Sequence, residues 1–148
     1  MKNLIAIDPG ASGGIAWVDS DGNVFAVKMP EGMTGQADFM RGAVMNEKIK
    51  TAILEKVGTY VPGNSGPAAA TFARHCGHLD AILYMLSISV IPVSPGVWMK
   101  SLGTFPKEKK DRKNAIKELM ARTYPHLNVT LATADALGLL TWAIRKGI

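Results

Sequence analysis

Two acids stand at the ends of apolar runs in this chain. Asp8 closes Lys2-Asn3-Leu4-Ile5-Ala6-Ile7 and is followed at once by Pro9-Gly10 and then Ser12-Gly13-Gly14. Glu55 closes Thr51-Ala52-Ile53-Leu54. A carboxylate at the mouth of a buried strand is costly unless something cationic compensates it, so two such strands side by side would make a metal site. Asp135, in Thr133-Ala134-Asp135, sits in the first turn of a C-terminal helical pattern and is the third candidate ligand. Each acid also has a plainer reading. Asp8 before Pro-Gly can be a turn former, and Asp135 can pair with a helix dipole for under ~1 kcal/mol. Glu55 has no cap or turn role in its surroundings, and the three acids together weigh more than any one of them. Oxygen-only ligands of this kind select Mg²⁺ or Mn²⁺ over softer metals.

These acids need elements to carry them. Residues 2–8 read as a strand; Gly14–Val18 and Val24–Lys28 follow it, and Asp21-Gly22 between the latter two is a hairpin signal. The first third is therefore a three-strand antiparallel meander. Pro30–Gly35 reads as a loop, and 36–50 as a helix striped by Phe39, Met40, Val44 and Ile49. Thr51–Glu55 is a fourth strand, and 56–67, rich in Gly, Pro and Asn, a mobile loop. Residues 68–87 form a helix apolar on two faces, with Tyr84, Met85 and Ile88 on the spare one, the mark of a sandwiched or interface helix. Ser89–Val93 is a fifth strand, 95–105 a connector holding Trp98 as a packing anchor, 111–124 a basic helix, and 133–146 a final helix.

A meander followed by alternating helices and strands predicts a mixed sheet flanked by helices. A right-handed crossover then lays the Glu55 strand parallel to the first strand and beside it. Both acids emerge at one sheet edge, where ligands of such sheets gather. At 148 residues and 47% hydrophobic content, residues 1–148 fit a single domain with a real core. No apolar run reaches ~20 residues and no signal-peptide pattern opens the chain, so the expectation is a soluble, unexported protein with no membrane partner, in the cytoplasm or another intracellular compartment. A single cysteine, Cys76, excludes an intrachain disulfide and a cysteine zinc cage and reads as a core residue. His75 and His78 lie three apart with no carboxylate partner, which argues against zinc.

The net charge of +5 is concentrated rather than spread. Between Lys107 and Arg122, Lys107, Lys109, Lys110, Arg112, Lys113, Lys117 and Arg122 face only three acids, giving +4. Such a field can hold a nucleic-acid backbone with steep salt dependence. The alternative is a solvated helix face laced with i,i+4 ion pairs.

The series Ile5-Ala6-Ile7-Asp8-Pro9-Gly10 with Gly13-Gly14, the strand ending in Glu55, the helix Phe72-Ala73-Arg74-His75-Cys76-Gly77, the connector Val93-Ser94-Pro95-Gly96-Val97-Trp98-Met99-Lys100 and the terminal Ala134-Asp135-Ala136-Leu137 resembles the RuvC-type Holliday-junction resolvases of the RNase H-like superfamily. The resemblance runs in order over nearly the whole chain. It implies an α/β, RNase H-like fold whose five-stranded mixed sheet combines the meander with two parallel strands. It also implies that Asp8, Glu55 and Asp135 bind two divalent ions, and that a homodimer nicks two symmetry-related strands of a four-way DNA junction, leaving 5′-phosphate ends. The chemistry it implies is metal-assisted phosphodiester hydrolysis with two ions ~4 Å apart. By the same resemblance Lys100 and either Lys110 or Lys113 stand near the cleaved phosphate, and Tyr60 is the candidate wedge into the junction. Arg74, Lys107, Lys109, Lys110, Arg112 and Lys117 are the expected DNA contacts.

One departure stands out. Related sequences place another acid three or four residues before the helix acid, where this chain has Leu131 and Ala132; His126 and Thr133 are the candidate substitutes. A nucleic-acid-binding domain of the same fold that no longer cuts is therefore the leading alternative, and a nuclease for other branched DNA the next. Asp8 with its glycines also resembles the phosphate loop of sugar kinases and actin-like ATPases. Those enzymes need two such domains around ATP, and this chain is too short, so no nucleotide cofactor is expected.

Overall fold

The computed structural model describes residues 3–58 and 65–148. The elements run β1 (Leu4–Asp8), β2 (Gly14–Val18), β3 (Val24–Lys28), α1 (Gly32–Glu47), β4 (Thr51–Glu55), α2 (Gly66–Met85), β5 (Ser89–Val93), α3 (Pro95–Leu102), α4 (Lys109–Thr123) and α5 (Leu131–Lys146). The five strands form one mixed sheet in the order β3-β2-β1-β4-β5. β1 pairs antiparallel with β2 and parallel with β4, and β5 extends the parallel half. Pro92 lies on β5, an edge strand, where its missing N–H costs least.

Side-chain alternation sorts the core into two layers. Leu4, Ala6 and Ile53 point to the face covered by α5 and Trp98, while Ile5, Ile7 and Ala52 point to the face that meets Met40, Leu79 and Leu83. α5 is the principal cover, with Thr133 through Ala143 buried without interruption. Its approach depends on Gly14. A side chain there would collide with the Ala132 carbonyl, so only glycine lets the first turn of α5 rest on the sheet beside Asp8.

Several expectations from the sequence shift. The connector after β5 is helical over Pro95–Leu102, because Pro95 stands at the first helical position, where its fixed φ suits the turn and its missing N–H is not needed. α1 starts at Gly32 and stops at Glu47; Lys48 takes the left-handed cap conformation at φ 53°. Ile49 therefore enters the core from outside the helix. On α2, Leu79 and Leu83 are buried, whereas Tyr84 and Met85 are exposed. Ile88 does not share that spare face: it lies past the helix end and is buried among Leu79 and Leu83.

Candidate active site

The parallel register pairs Ile7 with Leu54, so the next residues along, Asp8 and Glu55, end adjacent strands. By parity both belong to the α5 face, with Ala6 and Ile53. α5 brings Asp135 to the same place, and the three acids line one cavity of about 450 Å³. All three are buried. α4 contributes Lys109, Arg112 and Lys113 to the same lining.

Each carboxylate has a different environment. Among the described residues no donor reaches the Asp8 side chain, and burial, with Glu55 and Asp135 nearby, pushes its pKa from 3.8 up to about 8, against an opposing pull from Lys113. Glu55 is also raised, first by burial. Its Oε2 accepts a 2.7 Å hydrogen bond from the Trp98 indole, which opposes that shift. Asp135 Oδ2 accepts from the Lys113 ammonium at 3.2 Å.

This arrangement fits a divalent cation in its donors. Three carboxylates supply only hard oxygens, and Asp8 is a buried acid with no hydrogen-bond partner among the described residues. The side chains do not stand as a closed cage: among the described residues no three His, Cys, Asp or Glu groups are placed to hold an ion as they are. Lys113 meanwhile supplies the one ammonium bound to the trio among the described residues.

The basic residues divide by position. Lys109, Arg112 and Lys113 line the acid cavity, and Arg112 is held by a 2.7 Å hydrogen bond to the Lys107 carbonyl. Lys107 and Lys110 are exposed and Lys117 half-buried, all off the cavity. Of the two lysines the sequence left open, Lys113 is the one that reaches an acid. Lys100 is exposed in the last turn of α3, whose contribution to the cavity is Pro95 and Met99. Arg74 lines a separate groove of about 850 Å³ between α2 and the start of α1, with Lys28, His75 and His78. Tyr60 lies outside the described residues. The i,i+4 ion pairs considered for α4 are absent among the described residues, whose two salt bridges are Arg41–Asp38 and Lys113–Asp135.

Neither substitute for the absent acid is available to the cavity. His126 Nε2 is hydrogen-bonded to the Val24 carbonyl, and Thr133 Oγ1 is engaged with the backbone of Thr130 in a capping box. Leu131 is half-exposed at the start of α5. The residue that sequence reading placed without its chemistry is Trp98, assigned to packing alone. Its bond to Glu55 spans 43 positions, beyond the reach of any local pattern.

The sequence matches no protein-family model, and no curated protein is similar enough to match it. Solved structures do match. Thermus thermophilus RuvC in complex with a Holliday junction substrate superposes with a TM-score of 0.57 at 12% identity, over 99% of this chain and 97% of that one. Fowlpox virus resolvase with its Holliday junction DNA gives 0.54 at 12% identity, over 97% and 98%. The yeast mitochondrial Holliday junction resolvase Ydc2 gives 0.50 at 14% identity, over 97% and 80%. The chain thus has the RNase H-like fold of these resolvases along essentially its whole length.

Proposed function

We propose that this chain is a divalent-metal-dependent endonuclease that cuts four-way DNA junctions. The observation that carries the reading is the meeting of Asp8, Glu55 and Asp135 in one cavity walled by cationic α4. Supporting it are the shared fold and the DNA junctions held by two of the solved structures with that fold. Asp8, Glu55 and Asp135 would hold Mg²⁺ or Mn²⁺, two ions in the full site, which when bound supply an activated water and Lewis acidity toward the phosphodiester.

The chain's own residues account for the rest. Glu55 is held by the Trp98 indole, so one of its oxygens is fixed in place. Lys109 and Arg112 face the cavity and neutralise an entering phosphate, while Lys113 offsets charge that builds on the phosphoryl oxygens as the bond to the leaving oxygen breaks. Lys113 must leave Asp135 to do so, exchanging one anion for another. Lys100, Lys107, Lys110, Lys117 and Arg74 extend the basic surface for DNA beyond the reacting phosphate. A junction offers two symmetry-related cleavage points, so the active form is a homodimer with one site on each. The exposed face of α2, carrying Tyr84 at 81% and Met85 at 76% exposure, is its interface.

A second reading, a junction binder without cleavage, is favoured by the hydrophobic and small residues Leu131 and Ala132 where a fourth acid would stand. One experiment separates the two. A synthetic four-way junction incubated with Mg²⁺ or Mn²⁺ should yield paired nicks with 5′-phosphate ends, and the same DNA should be shifted on a gel in Ca²⁺ without being cut. A shift with no product in either metal would establish the binder.

A further inference from the structure

We infer that Trp98 is a positioning residue for the carboxylate site, fixing Glu55 relative to Asp135 so that both can hold one cation. The inference rests on the nuclease reading and adds to it a residue outside the acid trio. Trp98 is fully buried, and its Nε1 donates to Glu55 Oε2 at 2.7 Å. A carboxylate has about four acceptor positions, so the indole takes one and leaves Oε1 and further lone pairs for a cation. The other end of the ring is fixed as tightly. It lies against the backbone of α5 at Gly138, where even a Cβ would stand 2.6 Å from the ring carbon Cζ3. Gly138 is three residues after Asp135 and on the same side of that helix. One rigid ring therefore spans from the strand that carries Glu55 to the helix that carries Asp135.

Packing alone does not explain this placement. The other two tryptophans, Trp17 and Trp142, have buried indole N–H groups with no partner among the described residues. Among the described residues those two indoles meet no hydrogen-bonding group, whereas Trp98 is aimed at an acid of the site. Partners that orient a metal-binding side chain are typically worth about 10- to 100-fold in metal affinity or activity.

Two measurements test it. In the first, Ca²⁺ is titrated into ¹⁵N-labelled protein and the three indole cross-peaks are followed, Trp98 being identified by the peak lost in Trp98→Phe. The Trp98 peak should move with saturation while those of Trp17 and Trp142 stay in place. In the second, Ca²⁺ binding to Trp98→Phe is measured by calorimetry; this variant keeps an aromatic ring in the core and removes the N–H. Its affinity should fall about tenfold or more, with metal-free junction binding unchanged. Ca²⁺ that binds the wild type without moving the Trp98 peak, or that binds a folded Trp98→Phe as tightly as the wild type, overturns the inference and leaves the nuclease reading standing. No Ca²⁺ binding to the wild-type protein overturns the inference, and junction cleavage in Mg²⁺ or Mn²⁺ then decides the nuclease reading separately.

Discussion

Asp8 couples the site to pH. Its carboxyl, ordinarily near 3.8, is raised to about 8 in the folded, metal-free protein. Between those values the folded state keeps a proton that the unfolded state has lost, so the contribution is fully present below about pH 4 and fades as pH rises to about 8. Glu55, raised in the same direction, adds to the trend. In chelator, the wild type should lose stability from pH 5 to pH 8, and Asp8→Asn should flatten that slope. At pH 8 the variant should be the more stable by about 1–3 kcal/mol, because it removes an uncompensated buried charge; denaturant titrations at the two pH values measure this. The same variant should abolish junction cleavage and spare junction binding, and retained cleavage would remove Asp8 from the mechanism. Lys113→Ala should slow cleavage about 10²- to 10³-fold while leaving the fold intact, measured under single-turnover conditions. Asp8 and Glu55 were legible from sequence because each ends an apolar strand. Lys113 was not separable from Lys110, since three positions on a helix share a face and only the packing of α4 on α5 tells them apart.

All five strands were readable because alternation, Asp21-Gly22 and the glycines after Asp8 agree with one another. Helix ends were less so. Gly32-Met33-Thr34-Gly35 has the composition of a loop yet forms the first turn of α1, and Pro95-Gly96 has the look of a connector yet opens α3. The first turn of α1 is exposed and reaches the core only at Gln36, and α3 opens on a proline at its first position, a local start signal that the loop-like composition masks. The meeting of α5 with the hairpin gives this scale its own prediction. Gly14→Ala inserts a methyl group against the Ala132 carbonyl, where backbone meets backbone and neither side can yield cheaply. It should cost about 1–3 kcal/mol and displace Asp135 from Asp8, so cleavage should fall further than the stability loss alone accounts for. Denaturant midpoints and single-turnover rates on the same preparations would show both effects. A variant with unchanged stability would mean that α5 does not rest on Gly14.

Charge acts on the molecule as a whole. The +4 carried between Lys107 and Arg122 should make junction affinity fall steeply with salt. Each phosphate-contacting lysine or arginine replaced by alanine should lower the slope of log K against log salt by about 0.9. Arg112→Ala tests this where the charge faces the cavity, and Lys117→Ala where it lies off it. For assembly, Tyr84→Asp with Met85→Asp should convert a dimer into a monomer by sedimentation and leave the secondary structure unchanged. A wild-type protein that sediments only as a monomer at micromolar concentration would remove α2 as an interface.

Because α5 both covers the sheet and contributes Asp135, assembly and competence arrive together during synthesis. A polypeptide broken off before residue 131 would lack the cover of its core and one of its three acids at the same stroke. Partial products would therefore be open to proteolysis and would lack the complete acid cluster.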